Sequence, residues 1–146
     1  MPQIRRAETT WDGNLVAGHG GTTAATSHAF TDLPVTWASR TEAADGRTSP
    51  EELLAAAHAT CFAMAFSSDL TRNGTPPTRL EASATITFDK LDQWTVVSSA
   101  VKVRGWVPGI DVATFERIAE GTRDNCPISR AIKGNVELSV EATLER

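Results

Sequence analysis

Two cysteines, Cys61 and Cys126, are the residues whose type best suits redox chemistry. They lie far apart in the sequence, with no Cys-x-x-Cys motif and no histidine pair at metal-ligand spacing, so we expect no metal site. In a reducing compartment a structural disulfide is rare. The two thiols are therefore either inert core residues or a redox-active pair.

The surroundings of Cys61 favour the inert interpretation at first. Cysteine is among the most frequently buried residue types, and Cys61 lies within a strongly apolar segment. Apolar residues recur there at helical spacing and predict a core-facing stripe made of Leu53, Leu54, Ala57, Cys61, Met64, Ala65 and Ser68. Because residues 53–66 are apolar around most of the helix, we expect sheets and a second subunit to cover it.

Cys126 occupies a different kind of position. A residue before proline is pushed out of the helical region, so Cys126 before Pro127 is predicted to be the N-cap of a short helix. Backbone N–H groups and the helix dipole at such an end stabilise a thiolate. The alternative is a cysteine that is merely tolerated at a turn between two helices.

The helix that contains Cys61 has a clear start. Ser49 is predicted as its N-cap, Pro50 as its first residue and Glu52 as its third, which is the arrangement of a capping box. The helix is predicted to run from Pro50 to about Thr71, where turn-forming residues end it.

The remaining pattern predicts an α+β fold, because strands and helices come in runs and do not alternate one by one. Strands are predicted where polar and apolar residues alternate between turn formers. We predict an early hairpin with strands at 7–11 and 22–27, a strand at 34–39, an antiparallel pair at 79–91 and 94–107, helices at 111–123 and 127–133, and a last strand at 136–144.

Composition limits the class of function. The 146 residues fit a single domain spanning residues 1–146, and their 40% apolar and 22% charged residues are ordinary for a globular protein. The net charge of −4 argues against a nucleic-acid partner and provides no basic patch for an anionic membrane. No apolar run approaches the roughly 20 residues that span a bilayer, and the N-terminus lacks the apolar region of a signal peptide. We therefore expect a cytoplasmic protein.

Three segments together resemble the OsmC/Ohr family, the osmotically inducible and organic hydroperoxide resistance proteins. The segment SPEELLAAAHATCF at 49–62 is similar to the central helix of that family, NCPIS at 125–129 to its second cysteine motif, and VPGID at 107–111 to a loop of its OsmC branch. The resemblance implies antiparallel sheets wrapped around central helices in an intertwined homodimer. It also implies a two-cysteine peroxidase that acts on organic hydroperoxides and, less specifically, on hydrogen peroxide. No cofactor is expected.

The same resemblance implies roles for individual residues. Cys61 matches the attacking cysteine of the family, Cys126 the resolving cysteine, and Glu51 the family glutamate. The arginine of the OsmC branch lies on a strand shortly before the glutamate, which points to Arg40, while the spacing leaves Arg47 open. The turn of the N-terminal hairpin, where the Ohr branch has its arginine, contains none, and this favours the OsmC branch.

The chemistry of a peroxide-reducing cysteine sets a requirement. Only the thiolate attacks the O–O bond, and burial on an apolar helix raises the pKa of a thiol, so we expect a cation beside Cys61. An arginine oriented by Glu51 suits this task because it stays charged when desolvated. Glu51 precedes Cys61 by ten residues, about 15 Å along one helix, so we expect either a composite site at the dimer interface or an arginine that spans the gap. Thr60 and His58 are interpreted as packing residues, with a general-base role for His58 as the minor alternative.

The resemblance and the two thiols together predict a catalytic cycle. The Cys61 thiolate attacks the hydroperoxide, an alcohol leaves, and the resulting sulfenic acid condenses with Cys126 to a disulfide. An external thiol then reduces the disulfide, and the resemblance suggests a small dithiol such as a lipoyl group. Apolar side chains around Cys61 would favour an organic substrate. The alternatives are a redox-responsive regulatory or binding module with a reversible disulfide and no turnover, and a structural domain with inert thiols.

Overall fold

The computed structural model describes all residues from Met1 to Arg146 and has the predicted α+β class. The chain divides into two compact units, an N-terminal unit at Met1–Leu53 and a C-terminal unit at Leu54–Arg146. The boundary falls within the helix that carries Cys61. The assignment of the whole chain to one domain stays a prediction.

The N-terminal unit is built on a three-stranded antiparallel sheet. Its strands are β1 at Ala7–Asp12, β2 at His19–Ala24 and β3 at Leu33–Val35, in the order β1-β2-β3. The predicted hairpin is confirmed, although β2 lies three residues earlier than expected. The reason is a tight turn at Asn14, which accepts the Ala17 N–H on Oδ1 at 2.8 Å and the Gly18 N–H on its carbonyl at 2.9 Å, so pairing resumes at once.

The prediction of a strand at 34–39 is wrong from Thr36 onward. The strand ends at Val35, and a short helix, α1 at Trp37–Thr41, follows. Thr36 and Ser39 form a capping box, in which Thr36 Oγ1 accepts the Ser39 N–H and Ser39 Oγ accepts the Thr36 N–H, both at 3.0 Å. These two hydroxyl side chains start a helix and override the alternation of their apolar neighbours. Arg40 therefore lies on a helix and not on a strand.

The long helix α2 at Pro50–Arg72 begins where the sequence predicts and ends one residue later. Ser49 Oγ accepts the Glu52 N–H at 3.1 Å, as an N-cap does. The other half of the predicted capping box is replaced, since the Glu52 carboxylate accepts the hydroxyl of Thr48 at 2.8 Å. The helix start is therefore fixed as predicted by one of the two expected bonds.

The buried stripe of α2 differs from the predicted one. The fully buried side chains recur every four residues, at His58, Phe62, Phe66 and Leu70. Met64, which belongs to the predicted stripe, is 70% exposed. Because most faces of this helix are apolar, the periodicity does not show which face packs into the core. The face with the phenylalanine rings is buried because these large side chains remove the most apolar area from water. Cys61 consequently lies partly buried at the margin of the core.

Helix α2 also corrects the expectation about apolar runs. Its 23 residues make it long and apolar enough to cross a bilayer. Polar residues such as His58 and Thr60 interrupt the run of apolar residues, but the mean hydropathy of the helix stays high enough for a membrane span. This comparison uses only length and composition, and a helix that buries one face in a protein core can have the same length and composition.

The C-terminal unit contains a mixed sheet and two further helices. The elements are β4 at Arg79–Lys90, β5 at Trp94–Trp106, α3 at Val112–Asn125, α4 at Pro127–Ile132 and β6 at Glu137–Glu145. Strands β4 and β5 are antiparallel, as predicted, but β6 pairs with β5 in parallel. The expectation of purely antiparallel sheets is therefore wrong for β6. The cause is the connection through α3 and α4, which is long enough to return the chain to the starting end of β5.

One hydrophobic core joins α2, α3 and the sheet of this unit. The ring centroid of Phe66 lies 5.5 Å from that of Phe62 and 5.1 Å from that of Phe115 on α3. Gly105 on β5 leaves room for Phe115, because a Cβ at that position would come within 2.7 Å of the ring. The absence of a side chain at Gly105 thus lets α3 approach the sheet closely.

We expect Gly105→Ala and Gly121→Ala to change stability in opposite directions. The methyl group at position 105 would meet the ring of Phe115, so overpacking should lower the free energy of unfolding by about 1–3 kcal/mol. Gly121 lies within α3, and beyond the backbone of that helix no atom lies within 4 Å of an added Cβ, so alanine there should raise the free energy of unfolding by about 0.5–1 kcal/mol. Urea unfolding of both variants measures the two effects. A change of the same sign in both would contradict the close packing at Gly105.

Candidate thiol site

Helices of the C-terminal unit place both cysteines, and each cysteine has a polar residue three positions away. Helix α2 carries His58 and Cys61, while the start of α4 carries Cys126 and Ser129. Residues three apart on a helix are neighbours on one side. The two pairs therefore meet face to face, with His58 against Ser129 and Cys61 against the backbone of Ile128.

Cys126 is the N-cap of α4, as predicted. Its backbone is extended, with φ −61° and ψ 145°, and its Sγ accepts the Ser129 N–H at 3.4 Å. The backbone N–H of Cys126 also closes α3 by donating to the Thr122 carbonyl at 2.9 Å. Because this residue ends one helix and starts the next, its thiol has a fixed place, and Cys126 is only 1% exposed.

Cys61 lies against the first turn of α4. Its Sγ accepts the N–H of Ile128 at 3.4 Å, and the thiol of Cys126 is near enough to raise its pKa. Both cysteines are free thiols. The structure therefore brings together two residues that are distant in the sequence, and their roles in a reaction stay predictions.

The pKa of Cys61 reflects three influences. Burial raises the pKa of this thiol, the Ile128 N–H lowers it, and Cys126 raises it through a hydrogen bond and through charge. Since the net direction is upward, Cys61 is a thiol and not a thiolate near neutral pH. The predicted attack on a peroxide would therefore require a further stabilising group.

His58 is the buried polar centre of this site. Its Nδ1 lies 2.6 Å from Ser99 Oγ on β5, and its Nε2 lies 2.8 Å from Ser129 Oγ. Ser129 Oγ in turn lies 3.0 Å from Cys126 Sγ. Burial lowers the pKa of His58, so the ring is neutral near pH 7. The sequence interpretation of His58 as a packing residue misses this network. The sequence feature that indicates its burial is its position four residues before Phe62, on the buried stripe of α2.

Arg40 and Glu51 form a bidentate ion pair within the N-terminal unit. Arg40 Nε donates to Glu51 Oε1 at 3.0 Å, and Nη2 donates to Oε2 at 2.9 Å. Glu51 is 8% exposed. Arg47, the alternative partner, instead lies 3.3 Å from the carboxylate of Asp45. The structure thus pairs Glu51 with Arg40, and it brings together the predicted site residues as two separate pairs, one in each unit.

An apolar cavity of about 440 Å³ adjoins Arg40 in the N-terminal unit. Its apolar wall is formed by Trp11, Leu15, Val35, Trp37, Pro50 and Leu53. Arg40 is the one charged residue of the lining. A cavity of this size with one convergent charge suits a small organic molecule that has a polar reactive end.

Known proteins provide a consistent comparison. The family model described as OsmC-like protein matches residues 43–141. Peroxiredoxin OsmC of Escherichia coli is 34% identical over 94% of this chain and 95% of its own length. The organic hydroperoxide resistance protein OhrB of Bacillus subtilis has a TM-score of 0.70 at 21% identity, covering 96% of this chain and 98% of that one. An OsmC-like protein of unknown function from Vibrio cholerae has a TM-score of 0.73 at 13% identity, covering 97% and 99%. The two solved structures show that the fold is shared.

We expect His58 to make the folded protein less stable in acid. The pKa of His58 is lower in the folded than in the unfolded chain, so below the unfolded value of about 6.5 the unfolded chain binds a proton that the folded chain does not. The free energy of unfolding should therefore fall by up to about 1.4 kcal/mol per pH unit, until the pH reaches the folded value.

Denaturant unfolding between about pH 5 and pH 8 measures this slope. His58→Gln should flatten it, whereas His19→Gln, at an exposed position of β2, should leave it unchanged. A slope in His58→Gln equal to that of the unmodified protein would contradict the assignment.

Proposed function

The chain belongs to the family of OsmC-like proteins, and from this premise we propose that it is a thiol-dependent peroxidase that reduces organic hydroperoxides to alcohols. Family membership suggests hydroperoxide peroxidase activity in general. The observation that most supports a two-cysteine reaction is the hydrogen bond of Cys61 with Ile128 in the first turn of α4, which starts at the cap residue Cys126.

The proposed cycle has three steps. The Cys61 thiolate attacks one oxygen of the hydroperoxide, the O–O bond breaks, an alcohol leaves, and Cys61 becomes a sulfenic acid. The sulfur of Cys126 then displaces the hydroxyl group, so that a disulfide and water form. A small dithiol, such as a lipoyl group, reduces the disulfide by exchange. The reducing cytoplasm, where we place the protein, supplies thiols of this kind.

We assign the stabilising positive charge to Arg40. The upward shift in the pKa of Cys61 has to be offset during attack, and a guanidinium held by a bidentate carboxylate has both a permanent charge and a fixed direction. Glu51 precedes Cys61 by ten residues on α2, about 15 Å at the rise of a helix. We therefore propose that Arg40 and Glu51 of one subunit serve Cys61 of a second copy.

The second copy is proposed because α2 leaves an apolar face exposed in the single chain. Met64 is 70% exposed, and Ala56 and Ala57 are exposed as well. An uncovered apolar helix face is unfavourable in water by roughly 25 cal/mol per Å². In a two-fold dimer the same face of the partner helix would cover it.

The preference for organic hydroperoxides is proposed from the cavity beside Arg40. Its wall of tryptophan, leucine, valine and proline side chains would bury an alkyl or aryl group, while Arg40 would face the peroxide oxygens. Hydrogen peroxide has no apolar group to bury, so it would gain nothing from this wall.

Serine substitutions should separate the two thiols. Cys61→Ser should reduce the consumption of cumene hydroperoxide with a dithiol to background, because no nucleophile remains. Cys126→Ser should consume about one equivalent per chain and then stop, because its sulfenic acid has no resolving thiol. Peroxide concentration followed over time measures both results. Sustained turnover by Cys126→Ser would contradict its role, and a disulfide without turnover in the unmodified protein would favour the redox-responsive module.

Mixed dimers should reveal a shared site. Arg40→Ala and Cys61→Ser should each be nearly inactive alone. In a dimer that contains one subunit of each kind, one site combines an intact Cys61 with an intact Arg40, so a co-refolded equal mixture should regain about a quarter of the full activity. Arg47→Ala is the matched control and should keep its activity. A mixture that stays inactive would contradict the shared site, and a monomer in light scattering would contradict the dimer.

A further inference from the structure

We propose that His58 and Ser129 form a proton relay that activates Cys126 for disulfide formation. This inference rests on the proposed function and extends it to the second step of the cycle. It assigns a task to residues other than the two thiols and the Arg40–Glu51 pair.

The relay consists of a continuous line of close contacts. Ser99 Oγ lies 2.6 Å from His58 Nδ1, Ser129 Oγ lies 2.8 Å from His58 Nε2, and the same hydroxyl lies 3.0 Å from the Sγ of Cys126. His58, Ser99 and Ser129 are fully buried, and Cys126 is 1% exposed. The line therefore runs from β5 through α2 to the cap of α4 within the core.

Each group in this line can donate one hydrogen bond to the next, so all the hydrogen bonds can point the same way, from Cys126 to Ser99. The Cys126 S–H donates to Ser129 Oγ, the Ser129 O–H donates to His58 Nε2, and His58 Nδ1–H donates to Ser99 Oγ. No aspartate, glutamate, lysine or arginine hydrogen-bonds to any of the four. The titratable groups at the relay are therefore the imidazole of His58 and the thiols of Cys61 and Cys126.

Burial of Cys126 is the reason that an internal base is needed. Cys61 is partly exposed, but Cys126 is closed off from solvent, so bulk water does not take its proton directly. A base has to lie within hydrogen-bond reach or one hydroxyl away, and His58 meets this condition through Ser129. The lowered pKa of His58 keeps its ring neutral and able to accept a proton. A side chain needed only for packing would be less costly as an apolar residue, since burying an imidazole requires partners for both nitrogens.

The proposed step consists of a proton transfer followed by the formation of the S–S bond. The S–H bond of Cys126 breaks, its proton passes to Ser129 as the proton of Ser129 passes to His58, and a thiolate and an imidazolium result. The thiolate attacks the sulfur of the Cys61 sulfenic acid, an S–S bond forms and the S–O bond breaks. The departing hydroxide takes up the proton held by the relay and leaves as water. The sulfur of Cys126 is oxidised, and that of the sulfenic acid is reduced.

A single-turnover experiment separates the two steps. Reduced protein receives one equivalent of cumene hydroperoxide, dimedone trapping followed by mass spectrometry measures the sulfenic acid, and loss of the second thiol measures the disulfide. Ser129→Ala and His58→Gln should form the sulfenic acid at the unmodified rate but close the disulfide about 100-fold more slowly, the usual scale for loss of a general base. The double variant should be no slower than either single variant. Raising the pH should restore the rate in both, because hydroxide then removes the thiol proton more often during the brief local openings that expose Cys126.

Ser99→Ala is the matched control. It removes a buried hydroxyl from the same imidazole but leaves the link to Cys126 intact, so it should slow disulfide closure much less than Ser129→Ala. Equal slowing by the two alanine variants, or slowing that high pH does not reverse, would show a structural role and overturn the relay. Closure of the disulfide at the unmodified rate in Ser129→Ala would overturn it as well.

A second oxidant makes the test independent of peroxidase activity. Diamide forms an adduct on the partly exposed Cys61, and only a second thiolate converts this adduct to a disulfide. The unmodified protein should close the disulfide about 100-fold faster than Ser129→Ala, and equal rates would overturn the relay. Absence of a sulfenic acid in Cys126→Ser treated with hydroperoxide would instead overturn the proposed function and leave the diamide result to decide the relay.

Discussion

The contact between α2 and the first turn of α4 is the interaction on which the thiol site depends. Cys61 accepts the Ile128 N–H there, and His58 meets Ser129 one turn away. Because Cys126 ends α3 and caps α4 at once, the position of its thiol follows from the backbone of both helices. Any displacement of α4 would therefore separate the two sulfurs and break the chain of buried hydrogen bonds together.

The two thiols have unlike environments, and this suits a division of work. Cys61 is partly exposed, so a peroxide can reach it, but burial and the neighbouring thiol raise its pKa. In the proposed cycle, the guanidinium of Arg40, which Glu51 holds in place, offsets this rise in pKa. Cys126 is buried and needs an internal route for its proton, and the imidazole of His58 lies one hydroxyl away. In the proposal, a different group therefore assists each of the two thiols.

Features that depend on neighbouring residues in the sequence were predictable, and features that depend on distant ones were not. Ser49 and Pro50 start α2, and Pro127 makes Cys126 an N-cap, as local backbone chemistry requires. The family resemblance pointed to Arg40 as the partner of Glu51 but left Arg47 open, and the ion pair of Arg40 with Glu51 decides between them. The buried stripe of α2 and the parallel pairing of β6 depend on what packs alongside, so periodicity alone misplaced both. The network around His58 joins three elements, and the local sequence indicates only that His58 is buried, not that Ser99 and Ser129 are its partners.

Mapping the oxidised cysteines by mass spectrometry tests the central claim most directly. Reduced protein would be treated with one equivalent of cumene hydroperoxide, alkylated, and digested. Convergence of the two sulfurs predicts one product, a disulfide within a single chain between the peptide of Cys61 and that of Cys126, with both thiols protected from alkylation. An alkylated Cys126 beside a Cys61 that stays a sulfenic acid, or a disulfide between the Cys61 residues of two chains, would contradict it.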